Sequence, residues 1–300
     1  MSSNAPVGVI GLGLMGSALA ARLIDAGIGV IGFDVDVAKS DGLRASGAEF
    51  AAFAAEVAER CRTVVIAVYD AAQVKSLLPD LANARLPPLV ICTTTCAPGD
   101  IAVIAEFAAR SHLAFIEAPI SGTSAEVRAG TATALVAGDA GAIDAAAATL
   151  DVTCPQRIDV GAIGNASRTK LAINLILQSN RAALAEGIVF AESLGLDGAG
   201  FLAAARRSAA YSAVMDSKGE KMLARDFTPQ SHIAQTLKDA ELILREAGKR
   251  GLPLPMTTAQ ASLLRAAIAL QGPDGDSATV IEAIRAGRDR GSGEGGGGRA

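Results

Sequence analysis

Val7-Gly8-Val9-Ile10-Gly11-Leu12-Gly13-Leu14-Met15-Gly16 is the stretch on which the fold class turns. Its first four residues form a short apolar run, as a strand buried on both faces requires. A G-x-G-x-x-G follows at once, and residues 17–27 (SALAARLIDAG) place apolar side chains at helical spacing. Strand, glycine turn and helix in this order are the context in which the motif binds a dinucleotide. Gly11 permits the tight turn, Gly13 lets the backbone approach a pyrophosphate, and Gly16 lets the helix pack closely. Leu12, Leu14 and Met15 lie between them, where unpaired N–H groups at the helix start can face phosphate oxygens.

A second strand is expected over 29–33, with Asp34 just after it and 18 residues beyond Gly16. A carboxylate there can accept hydrogen bonds from the ribose hydroxyls of the adenosine half. Val35-Asp36-Val37 follows, with no arginine to meet a 2′-phosphate, so NAD is expected rather than NADP. Asp34 could instead cap the next helix.

Further strand–helix alternation continues from 63 to 160, with strands near 63–68, 89–93, 113–116, 132–137 and 157–160. Helices are expected over 71–78, Pro98–Arg110, Ser124–Ala129 and 140–150. In sheets of this type ligands sit outside the carboxyl ends of the strands. Tyr69 and Thr95 lie there and could line the nicotinamide half of the cofactor, or be ordinary loop residues. The loop 117–123 (EAPISGT) presents the Ser121 and Thr123 hydroxyls and, around Gly122, exposed N–H groups. Such a loop can hold a carboxylate, or simply open the next helix.

From 161 the text changes to GAIGNASRTKLAIN. Gly161 and Gly164 break the chain, Asn165 is a candidate N-cap, and a helix is expected from there to about 194. Lys170 and Asn174 fall one turn apart on one face. They could serve a small anionic substrate, or be two polar residues on a solvated face. Helical segments then follow near 198–208, 212–223, 231–250, 256–271 and 277–286, and Lys238 sits within the third of these.

Three hundred residues exceed the usual single domain. The expected division is 1–163 for the cofactor domain, 164–287 for an all-helical domain and 288–300 for a disordered glycine-rich tail. Half the residues are apolar, yet no run reaches the ~18 residues of a membrane span. A formal charge of -4 without a basic stripe argues against nucleic acid. Residues 1–6 lack the basic start of a signal peptide. Cys61, Cys92, Cys96 and Cys154 are scattered and only two histidines are present, which disfavours a metal centre and suits reduced thiols in a cytoplasmic protein.

Five stretches together resemble the β-hydroxyacid dehydrogenases, the group that includes 3-hydroxyisobutyrate dehydrogenase and tartronate semialdehyde reductase. They are GLGLMG at 11–16, TTCAP at 94–98, EAPISGT at 117–123, GAIGNASRTKLAIN at 161–174 and LKDAEL at 237–242. The resemblance implies an α/β Rossmann-type N-terminal domain, a long interdomain helix and an all-α C-terminal domain that forms a homodimer or homotetramer. It implies Lys170 as the catalytic lysine and Asn174 as a substrate ligand. Ser121 and Gly122 fall on the carboxylate-binding loop, Thr95 on a cofactor-contacting threonine, and Lys238 on a lysine reaching over cofactor and substrate. The family loop usually reads D-A-P-V-S-G-G, so Glu117 and Thr123 are departures, and Thr123 adds a side chain where substrate should lie. ICTT before the loop helix and AVYD at 67–70 also depart from the usual V-D-M-S and M-L-P.

The expected reaction interconverts a short 3-hydroxy carboxylic acid, or a sulfonate analogue, and its aldehyde or ketone. Lys170 would be the general acid/base. A free lysine has pKa ~10.4, and desolvation with repulsion from Lys238 would bring it nearer the working range. Two other readings are an imine reductase, which typically lacks a lysine at this position, and a catalytically inactive cofactor- or partner-binding relative, which would be expected to lack Lys170 or Asn174. A 6-phosphogluconate-type enzyme would need a longer helical domain.

Overall fold

The computed structural model describes residues 5–294. In chain order its elements are β1 (Val7–Ile10), α1 (Leu14–Asp25), β2 (Val30–Phe33), α2 (Lys39–Ala45), β3 (Glu49–Phe50), α3 (Ala54–Arg60), β4 (Thr63–Ile66), α4 (Ala71–Ala82), β5 (Leu89–Cys92), α5 (Pro98–Arg110), β6 (Phe115–Glu117) and β7 (Ile120–Ser121). Then come α6 (Ser124–Ala129), β8 (Thr133–Gly138), α7 (Ala140–Thr153), β9 (Gln156–Asp159), α8 (Asn165–Ser193), α9 (Gly198–Arg206), α10 (Ala213–Ala224), α11 (Ile233–Gly248) and α12 (Pro255–Gln271). A 3₁₀ turn (Ser277–Thr279) leads into α13 (Val280–Glu294). The chain divides into two compact units, Met1–Leu171 and Ala172–Ala300.

The first unit is the expected Rossmann-type domain. Its strands run in the order β3-β2-β1-β4-β5-β6-β8-β7, with β9 beside β8. Pairing is parallel from β3 to β6, whereas β8 runs antiparallel to both β6 and β7. Alternate strand residues point to opposite faces, and both faces are covered. Val9, Val65 and Ile91 join Leu19 and Leu23 of α1 and Leu150 of α7. Ile10, Val64, Ile66 and Val90 join Val57, Leu78, Ile101 and Ile104 from α3, α4 and α5. Two-sided burial is why these strands read as unbroken apolar runs.

Three local expectations change. Residues 117–123 contain β7, paired to β8 through Ile120↔Ala134 and Ser121↔Thr133, rather than loop alone. Between 36 and 62 the structure adds α2, β3 and α3. These have seven, two and seven residues, too short for a period to register in sequence. Helix α4 continues through Pro79 to Ala82, its lost hydrogen bond offset by the fully buried Leu81.

The second unit is helical, as expected. Leu184 and Ile188 of α8, Leu202 of α9, Met222 of α10, Ile233 of α11, Leu264 of α12 and Ile281 of α13 share one core. Residues 288–294, expected to be disordered, continue α13. Extending an existing helix costs little compared with starting one, so glycines at its end do not stop it. The rest of the expected tail, 295–300, lies outside the described residues.

Buried between helices of this unit is an ion pair that no local pattern of residues announces. Lys218 of α10 and Asp276 are 2% and 0% exposed, with Lys218 Nζ 2.8 Å from each carboxylate oxygen. The backbone N–H groups of Gln230, Ser231 and Ala278 also donate to Asp276. One carboxylate thus pins α10, the 226–232 connection and the entry to α13.

Candidate active site

In the first unit the glycine turn has two tight positions and one open one. Gly11 holds φ +91°, and a Cβ there would lie 2.5 Å from the Ala67 carbonyl oxygen. A Cβ at Gly16 would lie 1.8 Å from the Gly11 carbonyl oxygen, so α1 presses on its own entry loop. At Gly13, which caps α1, nothing lies within 4 Å of a Cβ position. The start of α1, with its unpaired N–H groups, therefore meets a cradle that a side chain would fill. Those features fit the pyrophosphate of a dinucleotide.

Asp34 follows β2 and is buried. Its carboxylate accepts from the Leu12 N–H at 2.6 Å and the Asp36 N–H at 2.9 Å, and pairs with Lys39 Nζ at 3.0 Å. Burial pushes this carboxyl up, but the Asp36 and Leu12 N–H groups and the Lys39 ammonium outweigh it and hold it below its ordinary value. Asp34 does not cap α2, whose N-cap is Ala38. Lys39 is a cation beside Asp34, outside the 35–37 stretch where an arginine would mark NADP. It comes five residues after Asp34, at the first position of α2.

Past the ends of β4 and β5, Tyr69 is exposed and its N–H donates to Gln73 Oε1. Thr95 is half-buried, whereas the neighbouring Thr94 is buried and its hydroxyl donates to the Val68 carbonyl at 3.1 Å. Thr94 thus ties the two strand-end loops together.

The loop at 121–123 is less open than its sequence suggests. Ser121 belongs to β7 and Gly122 takes φ +144°. Thr123 caps α6: its Oγ1 accepts the Glu126 N–H, while its own N–H donates to the Glu126 carboxylate at 2.6 Å. The Thr123 N–H is therefore not one of the exposed donors expected there. The signal was present in sequence, since Thr-x-x-Glu is a capping box.

Asn165 is not the cap of α8 but its first residue. Its side-chain amide donates to the Val160 carbonyl and its Oδ1 accepts from Arg168. The start of α8 is instead served from β6. Glu117, 1% exposed, accepts from the Gly164 N–H, from the Ser167 N–H at 3.0 Å and from the Ser167 hydroxyl. A carboxylate 50 residues upstream thus replaces a local cap. Lys170 follows one turn after Ser167 and is buried at 6% exposure, not on a solvated face.

In the second unit, Asn174 is buried and its amide donates to Asp239 Oδ2 at 2.9 Å. Asp239 Oδ1 lies 3.1 Å from Lys238 Nζ. One carboxylate thus joins the two residues of this unit singled out in sequence. The row continues along α8. Gln178 donates to the Thr236 carbonyl and accepts from Gln260, and Arg181 is buried in the field of the Asp276 and Asp239 carboxylates. Burial lowers the Arg181 guanidinium to about 10 against the pull of these carboxylates. Asn174, Gln178 and Arg181 at i, i+4 and i+7 were legible as one helix face. Among the described residues no group of three or more His, Cys, Asp or Glu side chains could hold a metal ion.

Residues 6–161 match the family described as the NAD binding domain of 6-phosphogluconate dehydrogenase. Residues 164–284 match NAD-binding of NADP-dependent 3-hydroxyisobutyrate dehydrogenase. The chain is 31% identical over 271 residues to a probable 3-hydroxyisobutyrate dehydrogenase-like protein, mitochondrial, of Arabidopsis thaliana, covering 89% of each. It is 30% identical to an L-threonate dehydrogenase of Cupriavidus necator, covering 93% of this chain and 96% of that one. Among solved structures it resembles a 3-hydroxyisobutyrate dehydrogenase of Salmonella typhimurium with TM-score 0.85 at 26% identity, covering 93% and 99% of the two chains.

Proposed function

The chain belongs to the β-hydroxyacid dehydrogenase family, and we propose that it interconverts a short 3-hydroxy carboxylic acid, or a sulfonate analogue, and its aldehyde or ketone with NAD. As a member it is an oxidoreductase that uses a nicotinamide cofactor on small hydroxy acids. The observation that carries the finer reading is the buried polar row on α8. Lys170 and, one turn on, Asn174 are 6% and 4% exposed, and an ionisable and a polar group desolvated together on one helix face mark a candidate functional site.

The bound cofactor supplies the hydride acceptor or donor. Lys170 bonds the substrate hydroxyl and takes its proton as the hydride leaves that carbon; in reduction it returns the proton to the carbonyl oxygen. Asn174, its amide fixed by Asp239, orients the same oxygen. Ser121 and the Gly122 N–H hold the carboxylate, while Thr123 shapes that end by capping α6. Lys238, paired to Asp239, keeps a positive charge on this row. The decisive experiment is a panel of 3-hydroxy acids and cognate aldehydes with either cofactor, followed by nicotinamide absorbance. No turnover of any of them by purified protein would overturn the reading.

NAD is favoured because Asp34 presents a carboxylate to the ribose and Val35 offers nothing to a 2′-phosphate. Lys39 is the group that would soften this preference. Asp34→Ala is expected to weaken NAD by about tenfold, on the order of one charge-assisted hydrogen bond, while NADP weakens less or gains. Titrating both cofactors against the variant checks this, and an unaltered NAD/NADP ratio rejects the ribose assignment.

The helical unit exposes Phe190, Leu194 and Leu196 near the end of α8, and Met256 and Leu270 on α12. We read these as the faces that pair with further copies of the chain. Cys61, Cys92, Cys96 and Cys154 are all buried and unbridged, in keeping with a reducing compartment such as the cytoplasm. Among the described residues no helix is long and apolar enough to cross a membrane.

A further inference from the structure

We propose that Glu117 is a positioning residue for catalysis: it fixes the start of the Lys170 helix against the Ser121 loop. The inference rests on Lys170 being the acid/base.

Glu117 ends β6 in the middle of the sheet. It is held in register on both sides, opposite Cys92 of β5 and Ala137 of β8. Its side chain is 1% exposed, and a carboxylate so placed must find donors within the protein. Each donor described for it comes from the entry to α8. The Gly164 N–H donates to Oε1; the Ser167 N–H and hydroxyl donate to Oε2. Gly164 turns its N–H inward at φ +93°, a conformation that favours glycine. The carboxylate also meets the positive end of a 29-residue helix.

A cap for stability alone would be met by a local side chain, and one was to hand. Asn165 has the right chemistry and position, yet its amide turns back to Val160. The cap is supplied across 50 residues instead. That choice has a geometric consequence. Glu117 lies four residues before Ser121, with Pro119 and the β7–β8 pairing stiffening the path. Ser167 lies three residues before Lys170, one turn along a helix that cannot bend easily. One carboxylate thus links the base of the substrate loop to the base of the lysine helix. Rotating α8 by a fraction of a turn, or sliding it, would break all three hydrogen bonds.

The test uses the full-length enzyme with NAD and the best hydroxy acid from the panel. Glu117→Gln keeps the shape but removes the charge and brings an amide donor against the Gly164 and Ser167 N–H groups. It is expected to lower kcat about 10²-fold, the scale of a misplacement near 1 Å. The KM for substrate and the Kd for NAD should move less than about threefold. Glu117→Asp, which keeps the charge on a shorter arm, should recover part of the lost kcat. Ser167→Ala removes one donor with little risk to folding and should lower kcat about tenfold. A purely stabilising cap would instead lower the melting temperature and leave kcat at the wild-type value wherever the variant is folded. Wild-type kcat in folded Glu117→Gln overturns the proposal; should that variant not fold, wild-type kcat in Ser167→Ala does so. Lys170→Ala separates the two claims. If it turns over normally, the functional reading falls and this inference with it. If it is inactive while the Glu117 and Ser167 variants are normal, only this inference falls.

Discussion

Lys170→Ala is expected to lower kcat by about 10²–10⁴-fold, the usual contribution of a positioned general acid/base. Cofactor binding should survive, because the glycine turn, α1 and Asp34 are built without Lys170. The variant should remain folded, because neither core of the first unit draws on Lys170. Steady-state turnover, an NADH titration by nicotinamide fluorescence and a thermal melt check the three parts. Near wild-type turnover would remove Lys170 from the chemistry. Lost turnover together with lost NAD binding would mean that the substitution had damaged the first unit rather than the proton transfer. Lys170→Arg discriminates further: it keeps the charge but does not deprotonate in the working range, so it should be as inactive as the alanine variant.

The second large effect concerns folding of the helical unit. Removing one partner of a buried ion pair leaves a charge uncompensated and costs about 3–5 kcal/mol. Asp276→Ala should lie at the upper end, because Lys218 would lose both its carboxylate contacts. Lys218→Met should lie lower, because Asp276 keeps the N–H groups of Gln230, Ser231 and Ala278. Either should lower the melting temperature by roughly 10 °C or more. Replacing both by apolar residues should recover much of the loss. A shift of one or two degrees in Asp276→Ala would show that the pair does not hold the unit together.

The same pair sets a pH dependence. Burial pushes the Asp276 carboxyl up, but the Lys218 ammonium and the N–H groups of Gln230 and Ala278 outweigh it and hold it below its ordinary value. A folded pKa below the unfolded value of ~3.9 means that this stability is present above about pH 4. It is lost as the pH falls through the folded pKa. Acid unfolding followed by circular dichroism should show this loss, and Asp276→Asn should shrink it.

The residues that proved legible in sequence share a property: their role depends on near neighbours in the chain. The glycine turn needs only a strand before it and a helix after it. Apolar runs such as VGVI and LVIC announce strands covered on both faces because every residue in them is buried. The Thr123–Glu126 capping box spans four residues and is legible in the sequence. Lys170 and Asn174 share a face because a helix has a fixed pitch. The seven-residue helices of 36–62 were not legible, being too short to show a period. Lys39 was missed because an ion pair one turn past Asp34 depends on where the next helix starts.

What the residues decide without coordinates is the class of fold and cofactor, since period, turn chemistry and motif order are local. What the folded molecule decides is which polar groups are buried and what they face. Asn165 has every local qualification for a cap and is not one, because β6 delivers the Glu117 carboxylate to the same donors first. Asp239 looks like an ordinary helix acid until α8 brings Asn174 to it. Lys218 and Asp276 meet across 58 residues, and a charge pair of that separation leaves no periodic trace in sequence. Long-range electrostatic pairing in a desolvated interior is a property of packed elements, not of any window of the chain.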